Sequence, residues 1–265
     1  MRQSHRLAAA LLCLIPCAAC DKSAPTAGTP AKESVVASAT PSSPSTAAPP
    51  SAGAATPGVA EHMRDHFSHA VKMRDAVIAN DLPALRKDAQ WMAEHELTST
   101  LPATWQPHVK RLQEAAKKAL DAQDLATASA AVAETAAACG GCHAQLGGPK
   151  LVVGAPPAEG SGAALHMARH QWAAARMWDA LATPSEEAWR QASEVMADAP
   201  LLPEAATGPR SAPQDTKKLG QNVHDIAEKA RLDRDATKWT SSYGQFLTTC
   251  GACHQALGAK PPAKP

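Results

Sequence analysis

A repeated stretch of sequence limits the folds that are open to this chain. Residues 62–66 (His-Met-Arg-Asp-His) match residues 166–170 (His-Met-Ala-Arg-His) at an offset of 104 positions. Met73, Asp75 and Met92 also find the same residue type 104 positions later, without a gap. An internal repeat of this length indicates that one structural unit is used twice. The sequence therefore predicts two similar folded units in tandem.

Each predicted unit ends with the pattern Cys-x-x-Cys-His, at residues 139–143 and again at 250–254. This is the attachment pattern for c-type haem: two thiols form thioethers with the porphyrin, and the histidine ligates the iron. Zinc ligation leaves the histidine after each second cysteine unexplained, and a disulfide across two intervening residues is strained. We therefore predict two covalently bound haem c groups. The predicted thioether cysteines are Cys139, Cys142, Cys250 and Cys253, and the predicted proximal iron ligands are His143 and His254.

Composition and periodicity favour an all-α protein. Aromatic residues make up only 3% of the chain, and runs that alternate β-branched with polar residues are few. Apolar residues recur at helical spacing, and Asp81 and Asp124 are candidate helix N-caps. Short links between four helices predict an up-down-up-down bundle in each unit. The predicted organisation is a signal at 1–20, a disordered Pro/Ala/Ser/Thr-rich tether at 21–58, a first haem-binding bundle at 59–148, a linker at 149–159 and a second haem-binding bundle at 160–265.

The N-terminal twenty residues are typical of an export signal. Arg2 and Arg6 precede an apolar run at 7–19 that is too short to span a bilayer as a helix. Small residues then lead to Cys20, which resembles a lipoprotein signal although Cys17 stands where a leucine is usual. We predict lipidation of Cys20 and a periplasmic protein held to a membrane, with simple cleavage and a soluble periplasmic product as the alternative.

The charge balance excludes one class of partner. Lys and Arg number 26 against 25 Asp and Glu, which gives a net charge of +1. Haem carboxylates would make the mature protein more acidic, so we predict no nucleic-acid partner.

The position of the motifs resembles that in class II c-type cytochromes, which are cytochrome c prime and its low-spin relatives. In that family one haem is bound near one end of an antiparallel four-helix bundle, through a Cys-x-x-Cys-His close to the C-terminus of the last helix. The resemblance covers about residues 59–148 and 160–259, and implies the same fold for both. The tandem arrangement departs from the family, so a single-haem function does not carry over.

The ligand on the opposite side of each iron is expected from the first helix of each unit. Counting along antiparallel first and fourth helices leads to Met63 and His66, which lie three residues apart on one face. We predict Met63 and, by the repeat, Met167 as distal ligands, with His66 and His170 as the alternative. A third possibility leaves the sixth coordination position open.

Two covalent haems with both axial positions filled predict an electron carrier that passes single electrons between a redox donor and an acceptor. An open position would instead predict a gas-binding sensor or scavenger. A di-haem peroxidase is the remaining alternative, but no distal acid and base pair is reserved for peroxide. We therefore expect a protein that is not an enzyme.

Overall fold

Helices account for most of the chain that the structure describes. The computed structural model describes residues 57–95, 101–160, 162–198 and 214–258, and no strand occurs in these ranges. The prediction of an all-α protein is confirmed for them. The predicted signal with Cys20, and the tether as far as residue 56, lie outside the described residues. The described residues form eight α-helices: α1 (Pro57–Ile78), α2 (Leu82–Glu94), α3 (Gln106–Asp121), α4 (Leu125–Leu146), α5 (Ala163–Ala182), α6 (Glu186–Asp198), α7 (Gln214–Ala230) and α8 (Ala236–Leu257).

Aspartate side chains begin three of these helices. The carboxylate of Asp81 accepts a hydrogen bond from the backbone N–H of Ala84, at 3.0 Å. Asp124 accepts in the same way from Thr127 at 2.8 Å, and Asp235 opens α8 by the same device. Each bond satisfies one of the backbone donors that the first helical turn leaves unpaired. The predicted caps at Asp81 and Asp124 are confirmed.

Two helix boundaries differ from the sequence prediction. Helix α1 begins at Pro57, so the last two residues assigned to the tether are helical. A proline suits the first helical turn, where its missing N–H has no partner to lose. The sequence pattern predicts a last helix over about residues 236–247, whereas α8 continues through the second motif to Leu257. It ends only where Gly258 takes a left-handed conformation with a φ of 62°.

The helices pack in chain order within two halves. Helices α1 to α4 each contact the next, and α1 also contacts α4; helices α5 to α8 follow the same scheme, with α5 on α8. We call α1–α4 the amino half and α5–α8 the carboxyl half. The halves are joined by an irregular segment in which Leu151 and Val153 pack on the hydrophobic core. All described residues belong to one compact unit.

Helices α4 and α8 form the centre of the contact between the halves. Helix α4 is rich in alanine and buries residues around most of its circumference. Small side chains let α8 come close: a Cβ added to Gly244 would lie 3.2 Å from the Cα of Ala130. Gly251, near the end of α8, faces Leu125 at the start of α4, so the two helices are antiparallel. Close backbone packing here replaces the interdigitation of large side chains.

Helices α4 and α8, which contain the Cys-x-x-Cys-His motifs, are called the motif helices. The C-terminal end of each motif helix contacts the C-terminal end of the first helix of the other half. A Cβ on Gly140 would lie 2.0 Å from the carbonyl oxygen of Leu181, in α5. A Cβ on Gly251 would lie 2.6 Å from the carbonyl oxygen of Val77, in α1. Positions 77 and 181 are related by the repeat offset of 104, so the contact is reciprocal. Glycine is required at both motif positions because the backbones touch.

The two halves fill their cores differently. Met73, Met92 and alanines dominate the amino half, whereas Trp178, Trp189 and Tyr243 are fully buried in the carboxyl half. Trp178 also contacts the amino half, since the guanidinium carbon of Arg74 lies 5.6 Å from its ring centroid. Among the described helices, none is both long enough and apolar enough to cross a membrane.

We expect Gly140→Ala to lower the free energy of unfolding by about 1 to 3 kcal/mol, the usual cost of overpacking a close contact. The new methyl group would collide with the backbone of Leu181, which has no flexible end that can move away. Chemical denaturation of the full chain measures this difference.

Gly141→Ala is the matched control, because nothing lies within 4 Å of a Cβ at that position. Alanine there should be neutral or should stabilise the helix by up to about 1 kcal/mol. Equal effects of the two substitutions would contradict the described contact between the halves.

Candidate functional site

Both Cys-x-x-Cys-His motifs lie in the last turns of long helices. Cys139, Cys142 and His143 fall within α4, and the corresponding residues of the second motif fall within α8. Spacings of three and four residues bring each cysteine pair and its histidine to one side of the helix. All four cysteines of the two motifs are free thiols. Two thiols and an imidazole are thus available together at the end of each helix.

Each motif histidine is hydrogen-bonded to the other half of the molecule. His143 Nδ1 lies 2.6 Å from the carbonyl oxygen of Ala182, the last residue of α5. His254 Nδ1 lies 3.1 Å from the carbonyl oxygen of Ile78, the last residue of α1. Positions 78 and 182 again differ by 104, so the two bonds are equivalent in the repeat. The last carbonyls of a helix have no partner within the helix and are therefore free to accept.

These bonds determine which nitrogen of each ring carries the hydrogen. A carbonyl oxygen can only accept, so Nδ1 carries the proton in both His143 and His254. The lone pair of a neutral ring then lies on Nε2, which is the atom that can bind a metal. The partial negative charge at a helix C-terminus also makes the imidazole a better electron donor.

The environment of the thiols disfavours a reactive dithiol. Burial, together with the neighbouring Cys142, raises the pKa of Cys139 to about 12. Burial and Cys253 raise the pKa of Cys250 in the same way, also to about 12. Thiols that exchange disulfides or act as nucleophiles have lowered pKa values, because the thiolate is the reactive form. The motifs therefore do not resemble a redox-active cysteine pair.

A cluster of histidines occupies one end of the amino half. His62 and His66 come from α1 and His95 directly follows α2; one ring nitrogen from each lies within 4.8 Å of the others. His62 stacks on His95 with ring centroids 5.0 Å apart. Trp91 stacks on His95 and also on His69, with centroid distances of 4.1 Å and 3.8 Å. The backbone carbonyl of His95 also accepts a hydrogen bond from Gln113, in α3.

His66 is the most deeply buried member of this cluster. It is 5% exposed, and both of its ring nitrogens are buried without a hydrogen-bond partner. Burial, with His62 and His95 nearby, lowers the pKa of His66 to about 3. The ring is therefore neutral at physiological pH, and it has a lone pair that no described group uses.

The carboxyl half has a looser counterpart. His166, His170 and His224 approach one another with centroid distances of 4.1 Å, 5.6 Å and 6.4 Å. His224 Nδ1 donates to the carbonyl oxygen of Ala197 at 3.0 Å. The Nε2 atoms of His170 and His224 are buried and lack hydrogen-bond partners. Burial and the two neighbouring histidines lower the pKa of His170 to about 3.

Helix α3 approaches both the first motif and the histidine cluster. The positive charge of Arg111 acts on the thiol of Cys142, and Arg111 Nη2 donates to His108 Nδ1 at 3.2 Å. Arg111 lies two residues, or about half a helical turn, before Gln113, whose side chain donates to the backbone carbonyl of His95. The motif and the cluster therefore belong to the same end of the amino half.

The predicted distal residues lie at this end of each half, on the first helical turns of α1 and α5. Met63 and Met167 are half-buried; His66 is buried, and His170 is half-buried with a buried Nε2. No described distance joins any of these four side chains to a motif histidine, so the distal ligand stays a prediction.

Sequence reasoning missed His95 and His224. The repeat gives no signal for either residue: position 199, 104 residues after His95, is alanine, and position 113, which matches His224 at the offset of 111 between the cysteines, is glutamine. The third histidine therefore comes from a different place in each half: it follows α2 in the amino half and lies in α7 in the carboxyl half. Only the folded structure brings His95 beside the histidines at positions 62 and 66, and His224 beside those at positions 166 and 170.

Comparisons with family models, with characterised proteins and with solved structures find no match for this chain.

Trp91→Ala should lower the free energy of unfolding by about 1 to 3 kcal/mol, because it removes two stacked aromatic pairs that are each worth about 0.5 to 1.5 kcal/mol. Trp91→Phe keeps an aromatic ring between His69 and His95 and should retain most of that stability. Denaturation of both variants under identical conditions checks this expectation. An equal loss in the two variants would mean that stacking at this position contributes nothing.

Proposed function

We propose that this chain is a c-type cytochrome that carries two covalent haems and passes single electrons between a redox donor and an acceptor outside the cytoplasm. The observation that carries the proposal is the reciprocal bonding of the two motif histidines. Both His143 and His254 donate Nδ1–H to a helix-end carbonyl, which leaves Nε2 as the metal-binding atom. This arrangement suits a metal-bound imidazole, and haem c is the group that also uses both thiols beside each histidine.

The donor set of each motif fits haem c. Two free thiols three residues apart, followed by a histidine, match the two thioethers and the proximal ligand that haem c needs. Cys139, Cys142 and His143 would hold the first haem. Cys250, Cys253 and His254 would hold the second.

Haem iron, when bound, supplies one-electron oxidation and reduction. The contribution of the chain is to keep the ligands still. Ala182 and Ile78 end two helices of 20 and 22 residues, and each carbonyl restrains the ring of a histidine in the opposite half. Ligands held in this way move little when the charge of the metal changes, which favours fast electron transfer.

The finer organisation belongs to the same proposal. Helices α1–α4 and α5–α8 are interpreted as two tandem four-helix bundles, one for each haem, in line with the resemblance to class II c-type cytochromes. A disordered tether and a lipid on Cys20 would keep the protein in the periplasm at a membrane surface. The tether would let it reach redox partners there.

For the distal side we retain Met63 and Met167, with His66 and His170 as the alternative. Met63 follows His62 by one residue, a rotation of about 100° around α1. The rings of His62 and His66 both contact rings that follow or belong to α2. Because these two histidines are packed in this way, we retain the thioether of Met63 as the ligand of the iron.

The haem content tests the proposal directly. In cells that attach c-type haem, the denatured chain should have the mass of two haems, and replacing Cys139 and Cys142 together by serine should remove one of them. The Cys250→Ser and Cys253→Ser pair should remove the other. Mass spectrometry of the denatured protein gives the count. A chain without covalent haem under these conditions would overturn the proposed function.

The distal ligand is tested with carbon monoxide. The unaltered protein should keep its low-spin absorption bands when carbon monoxide is added, because both axial positions are filled. Met63→Ala should make half of the haem bind carbon monoxide, whereas His66→Ala should not. The reverse result would assign His66 as the ligand. Carbon monoxide binding by the unaltered protein would favour the gas-binding alternative.

A further inference from the structure

The histidine cluster of the amino half supplies a second set of metal ligands. One ring nitrogen each from His62, His66 and His95 lies within 4.8 Å of the other two. Three neutral imidazoles are a donor set that suits Zn²⁺ and other borderline divalent transition metals. His62 and His66 are one helical turn apart, so both rings project on the same side of α1.

Several buried ring nitrogens of the cluster have no hydrogen-bond partner. The His66 side chain is only 5% exposed, and neither of its ring nitrogens has a hydrogen-bond partner. The Nε2 atom of His62 is also buried without a partner. An unsatisfied buried polar group is costly, because it has given up its hydrogen bonds to water without gaining new ones. A metal ion would satisfy one nitrogen of each of these two rings, since a lone pair that binds a metal needs no hydrogen bond.

His95 is held in place from two directions. Its ring stacks on Trp91 with centroids 4.1 Å apart and interplanar angle 19°. Its backbone carbonyl accepts a hydrogen bond from Gln113 Nε2 at 3.2 Å. A ligand that is fixed in this way loses little freedom when an ion binds, which favours affinity.

We propose that His62, His66 and His95 form a binding site for one divalent transition-metal ion, separate from both haems. The inference rests on the form of the proposed function in which Met63 ligates the iron, since that form leaves His66 free. Three protein ligands leave one tetrahedral position for water or a small ligand. His62 and His95 are half-buried, so this position has a route to solvent.

The carboxyl half should bind such an ion more weakly. Its rings are further apart, at up to 6.4 Å between the centroids of His166 and His224, and they form no comparable group among the described residues. We therefore expect one high-affinity ion for each chain and not two.

The test uses the full chain with its haems attached and Zn²⁺ as the probe, because Zn²⁺ does not change its oxidation state. Equilibrium dialysis against a zinc buffer, followed by metal analysis, gives stoichiometry and affinity. We expect one Zn²⁺ for each chain. His95→Ala and, independently, His62→Gln should weaken binding at least tenfold, roughly the smallest loss that follows removal of a partner from a metal site.

His69→Ala is the matched control. His69 stacks on the same Trp91 and pairs with Asp88 at 2.7 Å, but it does not belong to the cluster, so zinc binding should be unchanged. Binding that is unaffected by both His95→Ala and His62→Gln, or no binding at all, would overturn the site. Zinc binding that abolishes the low-spin haem bands would also overturn it, because His66 would then be an iron ligand. The haem mass of the same samples reports separately on the proposed function.

Discussion

The contact on which the rest of the structure depends is the meeting of helix ends between the two halves. Gly140 and Gly251 let the end of each motif helix touch the backbone of the other half, and the histidines at 143 and 254 then bond to the next carbonyls along. Because the acceptors are main-chain oxygens at helix ends, the arrangement depends on where α1 and α5 stop. The position of each motif histidine is therefore set by the fold of the opposite half, and not by local sequence alone.

Buried polar groups without partners, which are costly, are concentrated at the end of each half where its first helix begins. In the amino half the unpartnered nitrogens belong to His62 and His66, and in the carboxyl half they include those of His170 and His224. Elsewhere in the core, Trp189 Nε1 donates to the carbonyl of Ala230, whereas Trp178 Nε1 is buried without a hydrogen-bond partner. The unpartnered histidine nitrogens gather beside the first helix of each half, which is the observation behind the ligand sites proposed above.

The sequence predicted the features that arise from local chemistry. Asp81 and Asp124 cap helices because their carboxylates reach nearby N–H groups. It did not predict His95 and His224, since their approach to the first helices depends on packing between distant segments. The glycine after the first cysteine of each motif was a visible signal for close approach, but its partner in the other half was not.

The reciprocal contacts have the form of an isologous interface, in which the same two patches meet twice about a twofold axis. Ile78 and Ala182 occupy equivalent positions, as do Val77 and Leu181. In a symmetric homodimer every substitution in such an interface appears in both copies at once. Within one chain the two copies are encoded separately, so each can change alone. Trp178 against Arg74, where the repeat no longer matches, is a place where the two have diverged to contact each other.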